Sequence, residues 1–138
     1  MNSFTSSPVI AFLPQLEYED QKYFVHPNFK ARNELYKNKV EKFGGIILDC
    51  DYNTKVDDIL TRIDGWLIPG GADIDPKTYG EEKGIKTICH RFSNARIEWE
   101  KELWEKMDIK MPVLGICYGA QVINVLSGKE KYNITTTT

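Results

Sequence analysis

Apolar residues in this chain gather into four short unbroken runs, separated by longer stretches in which apolar and polar positions alternate at helical spacing. The runs are PVIAFLP at 8–14, IILDC at 46–50, WLIPGG at 66–71 and MPVLGIC at 111–117. Their length, and the glycines and prolines that bound them, predict buried strands. Between the runs the period changes. From about Asn28, the residues Ala31, Leu35, Tyr36, Val40 and Phe43 can share one helix face, and FGG at 43–45 stops that helix. TKVDDILTRIDG predicts a short helix carrying Val56, Ile59, Leu60 and Ile63. From Asn94 to about Met107, Ala95, Trp99, Leu103 and Met107 recur at every fourth residue, with Ile97 and Trp104 beside them. Glu98, Glu100, Lys101, Glu102, Glu105 and Lys106 take the remaining faces. YGAQVINVLSG begins a fourth helix at Tyr118. The polar and aromatic residues 15–30 have no clean period and read as a loop entering the first long helix, and residues 72–93 read as a long polar loop. Strand and helix alternate four times, and the strands are continuously apolar. That order predicts an α/β fold, a three-layer sandwich with a mainly parallel sheet and right-handed crossovers.

Length and composition narrow this picture without changing it. The 138 residues suit a single domain over 1–138, with a core at 8–130 and a poorly ordered tail at 131–138 that ends in four threonines. The net charge of −2 gives no reason to expect nucleic acid. No apolar stretch is long enough to span a bilayer, and the N-terminus lacks the features of a secretory signal, so a cytoplasmic or other intracellular soluble compartment is expected. The sequon at Asn133 is then read as chance. Cys50, Cys89 and Cys117 are an odd number without CxxC spacing, which disfavours a disulfide framework or a zinc knuckle. The pair Cys89-His90 reads as a loop cysteine beside a surface histidine, and no metal or cofactor is expected.

Chemistry in open α/β sheets collects beyond the carboxyl ends of the strands. Two glycine-bearing turns fall there: PGGAD at 69–73 and ICYGA at 116–120. A cysteine on a sharp strand-to-helix turn is lifted clear of the sheet, and Gly115 and Gly119 remove side chains that would crowd it. A helix starting near Tyr118 directs its positive end at the sulfur, favouring thiolate, and its first N–H groups are free to meet a developing oxyanion. Against this, cysteine is among the most buried residue types, and the same glycines suit tight helix–strand packing. The local pattern leaves Cys117 evenly divided between packing and chemistry.

The two segments GWLIPGGADIDPKTYGEE and PVLGICYGAQVINV, taken together and in this order, resemble the class I glutamine amidotransferase-like superfamily, of flavodoxin-like fold. Within it they are most similar to the peptidase C26 group of gamma-glutamyl hydrolases, and the likeness covers roughly residues 8–130. The resemblance implies that Cys117 attacks a gamma-glutamyl amide carbonyl and forms a thioester that water hydrolyses. It implies oxyanion donors at the backbone of Tyr118 and of Gly71, with Gly70 equally arguable, and a glutamyl contact at Gln121. Asp73 and Asp75, which could be read as metal ligands, are then loop-shaping residues in an Asx-type turn closing on Pro76.

The pattern departs from the family in one respect. Family members activate the cysteine with a histidine and an acidic residue well beyond the elbow, whereas this sequence carries 21 residues after Cys117 and its histidines are His26 and His90, both upstream. The chain therefore reads as an N-terminal half of such a domain. General acid–base help worth about 10²–10⁴-fold would be missing, and activity is not expected from this chain alone. Three expectations follow: a truncated gamma-glutamyl hydrolase-like enzyme, a catalytically dead structural or partner-binding subunit, or a chain completed by another subunit. In each, the missing half or a protein partner covers an exposed sheet edge. His90 could approach the site as a loop residue, though a solvated histidine is the plainer reading.

Overall fold

The computed structural model describes residues 7–71 and 93–128. In chain order the elements are β1 (Val9–Phe12), β2 (Glu17–Glu19), β3 (Lys22–Phe24), α1 (Pro27–Lys42), β4 (Ile46–Asp49), α2 (Val56–Ile59), β5 (Gly65–Ile68), α3 (Ser93–Lys106), β6 (Val113–Gly115) and α4 (Tyr118–Leu126). Four strands form a parallel sheet in the order β4-β1-β5-β6, flanked by helices, as expected of a flavodoxin-like α/β sandwich. The register pairs Ile10 with Ile47 and with Gly65, and Ile68 with Gly115. The chain leaves β1 on one side to form β4 and crosses to the other side for β5. The carboxyl ends of β1 and β5 thus flank the point where the winding reverses, and in open α/β sheets that is where ligands bind.

The core lies between the sheet and the helices. Ala11, Leu13, Trp66, Ile68, Trp99, Leu103 and Val122 are all buried in one cluster. Trp66 and Trp99 meet edge to face with ring centroids 6.3 Å apart, joining β5 to α3. The indole N–H of Trp99 donates to Thr54 O at 2.7 Å, which ties α3 to the turn before α2. Among the described residues no helix is long and apolar enough to cross a membrane.

Three local expectations are corrected. Residues 17–24, expected to be loop, form an antiparallel hairpin pairing Tyr18 with Tyr23. Its turn places Asp20 at φ 53° and Gln21 at φ 65°, left-handed positions usually filled by Asn-Gly, so the usual hairpin signal is missing from the sequence. In α1 the face that turns inward is shifted by about a residue. Asn33 is its buried residue, with Phe29, Tyr36, Lys37 and Val40 half-buried on the same stripe, while Leu35 and Phe43 are 61% and 82% exposed. The inward stripe tolerates Lys37 because its ammonium lies 5.8 Å from the Phe12 ring centroid and reaches Asp49 at 3.3 Å. In α3, Glu100 does not lie on a solvated face; it is fully buried together with Arg96. The helix stop stands as expected, with Gly44 at φ 94° just after the α1 cap.

These burial differences predict unequal effects of two leucine substitutions. Leu35→Gln should shift unfolding free energy by no more than about 0.5 kcal/mol. Leu103→Ala, which empties a fully buried site, should cost about 2–5 kcal/mol. Urea unfolding of the two variants checks this, and similar losses would contradict the assigned faces.

Candidate active site

β6 and α4 meet at a single residue. The last strand bond runs from Ile116 N–H to Ile68 O at 2.9 Å, and α4 starts at Tyr118. Between them Cys117 adopts φ 53° and ψ −108°, a conformation that costs a non-glycine residue about 1–3 kcal/mol. Its side chain is exposed. The turn is closed by bonds from Gly119 N–H to Ile116 O and from Ala120 N–H to Cys117 O, both 2.9 Å, and from Gln121 N–H to Cys117 O at 3.2 Å. With these amides taken, the Tyr118 N–H is the first-turn amide without such a bond among the described residues. Both flanking glycines are required by space. A Cβ on Gly119 would collide with the Ile68 carbonyl and lie 2.9 Å from Ile68 Cβ, and one on Gly115 would collide with the Gly119 carbonyl.

The second turn follows β5. Gly70 faces the elbow: a Cβ there would sit 3.7 Å from Cys117 Cβ. Gly71 faces the opposite way, where a Cβ would collide with Arg96 Nη1 and lie 2.9 Å from Gln15 Cβ.

Beneath both turns lies a buried polar cluster. Arg96 donates from Nε to Glu100 Oε2 at 3.0 Å, from Nη2 to Pro69 O at 2.9 Å and Leu13 O at 3.3 Å, and from Nη1 to Gly70 O at 3.4 Å. Its guanidinium stacks 3.8 Å from the Tyr118 ring centroid, and the Tyr118 hydroxyl donates to Glu100 Oε1 at 2.6 Å. Burial pushes the Glu100 carboxyl up to about 6, although Arg96 and the Tyr118 hydroxyl pull it down. Burial likewise holds the Tyr118 phenol well above its ordinary value. Gln15, in the loop after β1, is 1% exposed beside Gly71, and neither end of its amide has a partner among the described residues.

The structure therefore brings Cys117, Tyr118 and Gly70 to one corner, with Gly71 one residue further on. Gln121 is exposed on the first turn of α4. His26 is engaged elsewhere: its Nδ1 accepts from Asn28 N–H at 3.0 Å and caps α1. Asp73, Asp75, Cys89 and His90 lie outside the described residues. Sequence reading missed Gln15, Arg96 and Glu100. The signal for the last two was their i,i+4 spacing in line with Leu103, on the apolar side of α3. A groove of about 620 Å³ between the β2–β3 hairpin, residues 52–57 and α3 has neither Cys117 nor Gly70 among its described lining residues.

The family model described as peptidase C26 matches residues 8–135. A glutamine amidotransferase-like protein named YvdE, from Lactococcus lactis subsp. lactis, is 35% identical over 92 residues, 63% of this chain and 36% of its own. Another protein named as glutamine amidotransferase-like, RP404 of Rickettsia prowazekii, is 30% identical over 122 residues, 86% of this chain and 43% of its own. The chain thus spans less than half the length of these relatives.

Two measurements test the site's geometry. Cys50 is buried, donates its thiol to Leu48 O at 3.4 Å and is pushed up to about 11 by burial. Iodoacetamide near neutral pH should therefore alkylate Cys117 well before Cys50, as read by peptide mass; the reverse order would contradict the exposed elbow. Glu100 sits above its ordinary value of 4.5, so between that pH and about 6 the folded chain holds a proton that the unfolded chain has released. Its contribution, about 2 kcal/mol, is present below pH 4.5 and lost as pH rises through 6. Glu100→Gln is uncharged at every pH and so lacks this dependence. Wild type should therefore gain stability relative to this variant as pH falls from 7 to 4.5, as urea unfolding reads. A difference that does not change with pH would contradict the raised carboxyl.

Proposed function

The chain belongs to the peptidase C26 family, and from that premise we propose that it carries the nucleophile and oxyanion half of a gamma-glutamyl hydrolase-like site. The observation that carries the reading is the left-handed backbone of an exposed Cys117 at the β6–α4 junction, held beside Gly70. Such strain is retained where the surrounding structure imposes it, and here it presents a sulfur at the positive end of a nine-residue helix.

In this reading the Cys117 thiolate attacks the gamma-carbonyl of a gamma-glutamyl amide. A C–S bond forms, and the carbonyl electrons move onto oxygen. That oxyanion is received by the Tyr118 N–H and by the N–H of Gly71 or Gly70, each donor being worth about 10²–10³ in rate. Collapse breaks the C–N bond, and the amine leaves with a proton. Water then cleaves the thioester, releasing the gamma-carboxylate and the thiol. Gln121, one turn into α4, contacts the glutamyl part. The relatives' names point to the same bond, since glutamine is itself the amide of a gamma-carboxyl; in both reactions the acyl group passes to water, and an amidotransferase hands the released ammonia to an acceptor. Among the described residues His26 caps α1, so the residue that moves the proton is assigned to chain or partner outside them.

A second reading is favoured by β6. It pairs with β5 alone among the described residues, and Leu114 on it is 51% exposed. A catalytically dead subunit could use that edge to bind another polypeptide.

Incubation of the full chain with gamma-glutamyl 4-nitroanilide, followed by intact and peptide mass measurement, separates the two readings. The enzyme reading expects a glutamyl adduct on the peptide containing Cys117, absent in Cys117→Ala. No adduct on wild type, or one that persists in Cys117→Ala, would overturn it.

A further inference from the structure

Resting on the reading of Cys117 as a nucleophile, we propose that Arg96 is the positioning residue of the oxyanion site, fixing the peptide planes whose N–H groups face the reacting carbonyl. The geometry follows from peptide planarity. In a trans peptide the C=O and the following N–H point in opposite directions. Arg96 Nη2 holds Pro69 O at 2.9 Å and Nη1 holds Gly70 O at 3.4 Å, and no peptide among the described residues is cis. The N–H groups of Gly70 and Gly71 are therefore both directed away from the buried guanidinium. On the elbow side of the same turn, Gly70 stands against Cys117.

The same guanidinium also sets the other donor. Tyr118, whose backbone begins α4, lies with its ring 3.8 Å from the Arg96 guanidinium and its hydroxyl on Glu100. A further bond to Leu13 O at 3.3 Å anchors the group to the end of β1, across the point where the winding reverses. One planar cation thus sets the orientation of the turn after β5 and the start of α4. Stability alone does not call for it, since buried ion pairs are often replaced by apolar residues at no cost. Lysine, with one point charge, cannot hold three carbonyls and a carboxylate in one plane.

Two reactions of Cys117 in the full chain separate orientation from bulk stability. Iodoacetamide alkylates the thiolate by displacement of iodide and forms no oxyanion. 4-Nitrophenyl acetate is attacked at its carbonyl. A C–S bond forms, a tetrahedral oxyanion develops, and its collapse breaks the ester C–O bond and releases 4-nitrophenolate. Rates are measured for wild type and Arg96→Lys, with Cys117→Ala as background. Arg96→Lys should slow acylation about 10²-fold and leave alkylation little changed. If Arg96→Lys does not fold, the double variant Arg96→Gln/Glu100→Gln removes the guanidinium without stranding a buried charge, and is judged by the same two rates. Unchanged acylation, or an equal fall in both rates, would overturn the proposal. Wild-type Cys117 that is alkylated but never acylated would overturn it together with the nucleophile reading. Acylation by the acetate that depends on Arg96, without any glutamyl adduct, would support the proposal and overturn only the gamma-glutamyl reading.

Discussion

Everything at the site depends on how closely α4 approaches β5. Gly119 lies so near the Ile68 carbonyl that no methyl group fits between them, and Gly115 is just as tightly placed against Gly119. That contact fixes where the helix begins and leaves Cys117 as the single residue that must turn the chain. The turn requires a backbone conformation costing about 1–3 kcal/mol. Burial of Tyr118, Val122 and Ile123 against the sheet and α3 offsets it, since each large apolar side chain contributes about 1.5–3 kcal/mol. The strain is therefore imposed by packing, and its consequence is an exposed sulfur at the strand-to-helix junction.

Electrostatics completes what packing begins. The turn after β5 and the loop after β1 present carbonyl groups to the interior, where water cannot satisfy them. Arg96 supplies the missing donors from α3, and Glu100 with the Tyr118 hydroxyl balances its charge. A cluster of this kind is costly to bury, and it remains ordered only while each member keeps its partner. It joins three segments distant in sequence, at residues 13–15, 69–71 and 96–100, to the start of α4. The two turns that flank the elbow are thus parts of one rigid assembly.

The main architecture was legible in the sequence because the apolar runs are continuous where strands are buried on both faces. β5 is the clearest case, with all four of its residues buried. The elbow was legible as a strand, a cysteine and two spaced glycines, though packing and chemistry could not be told apart until PGGAD was considered with it. Less legible were features set by tertiary contacts. The β2–β3 hairpin lacks glycine in its turn, and α1 packs through Asn33 and Lys37, so neither shows the usual local pattern. Glu100 looked like part of a solvated face because charge alone does not reveal a buried partner. The partner was one turn away at Arg96, aligned with Leu103, and only its bonds to Leu13, Pro69 and Gly70 show why both are buried.

The strongest test of this site as an oxyanion-stabilising elbow is the crystal structure of the full chain after reaction with a glutamine-mimicking diazoketone, which alkylates a nucleophilic thiol and leaves a carbonyl where the scissile one would lie. The geometry predicts a bond to Cys117 Sγ and a ketone oxygen about 3 Å from the Tyr118 nitrogen and from the nitrogen of Gly71 or Gly70. A Cys117 adduct whose oxygen points to solvent, away from all three amides, would contradict it.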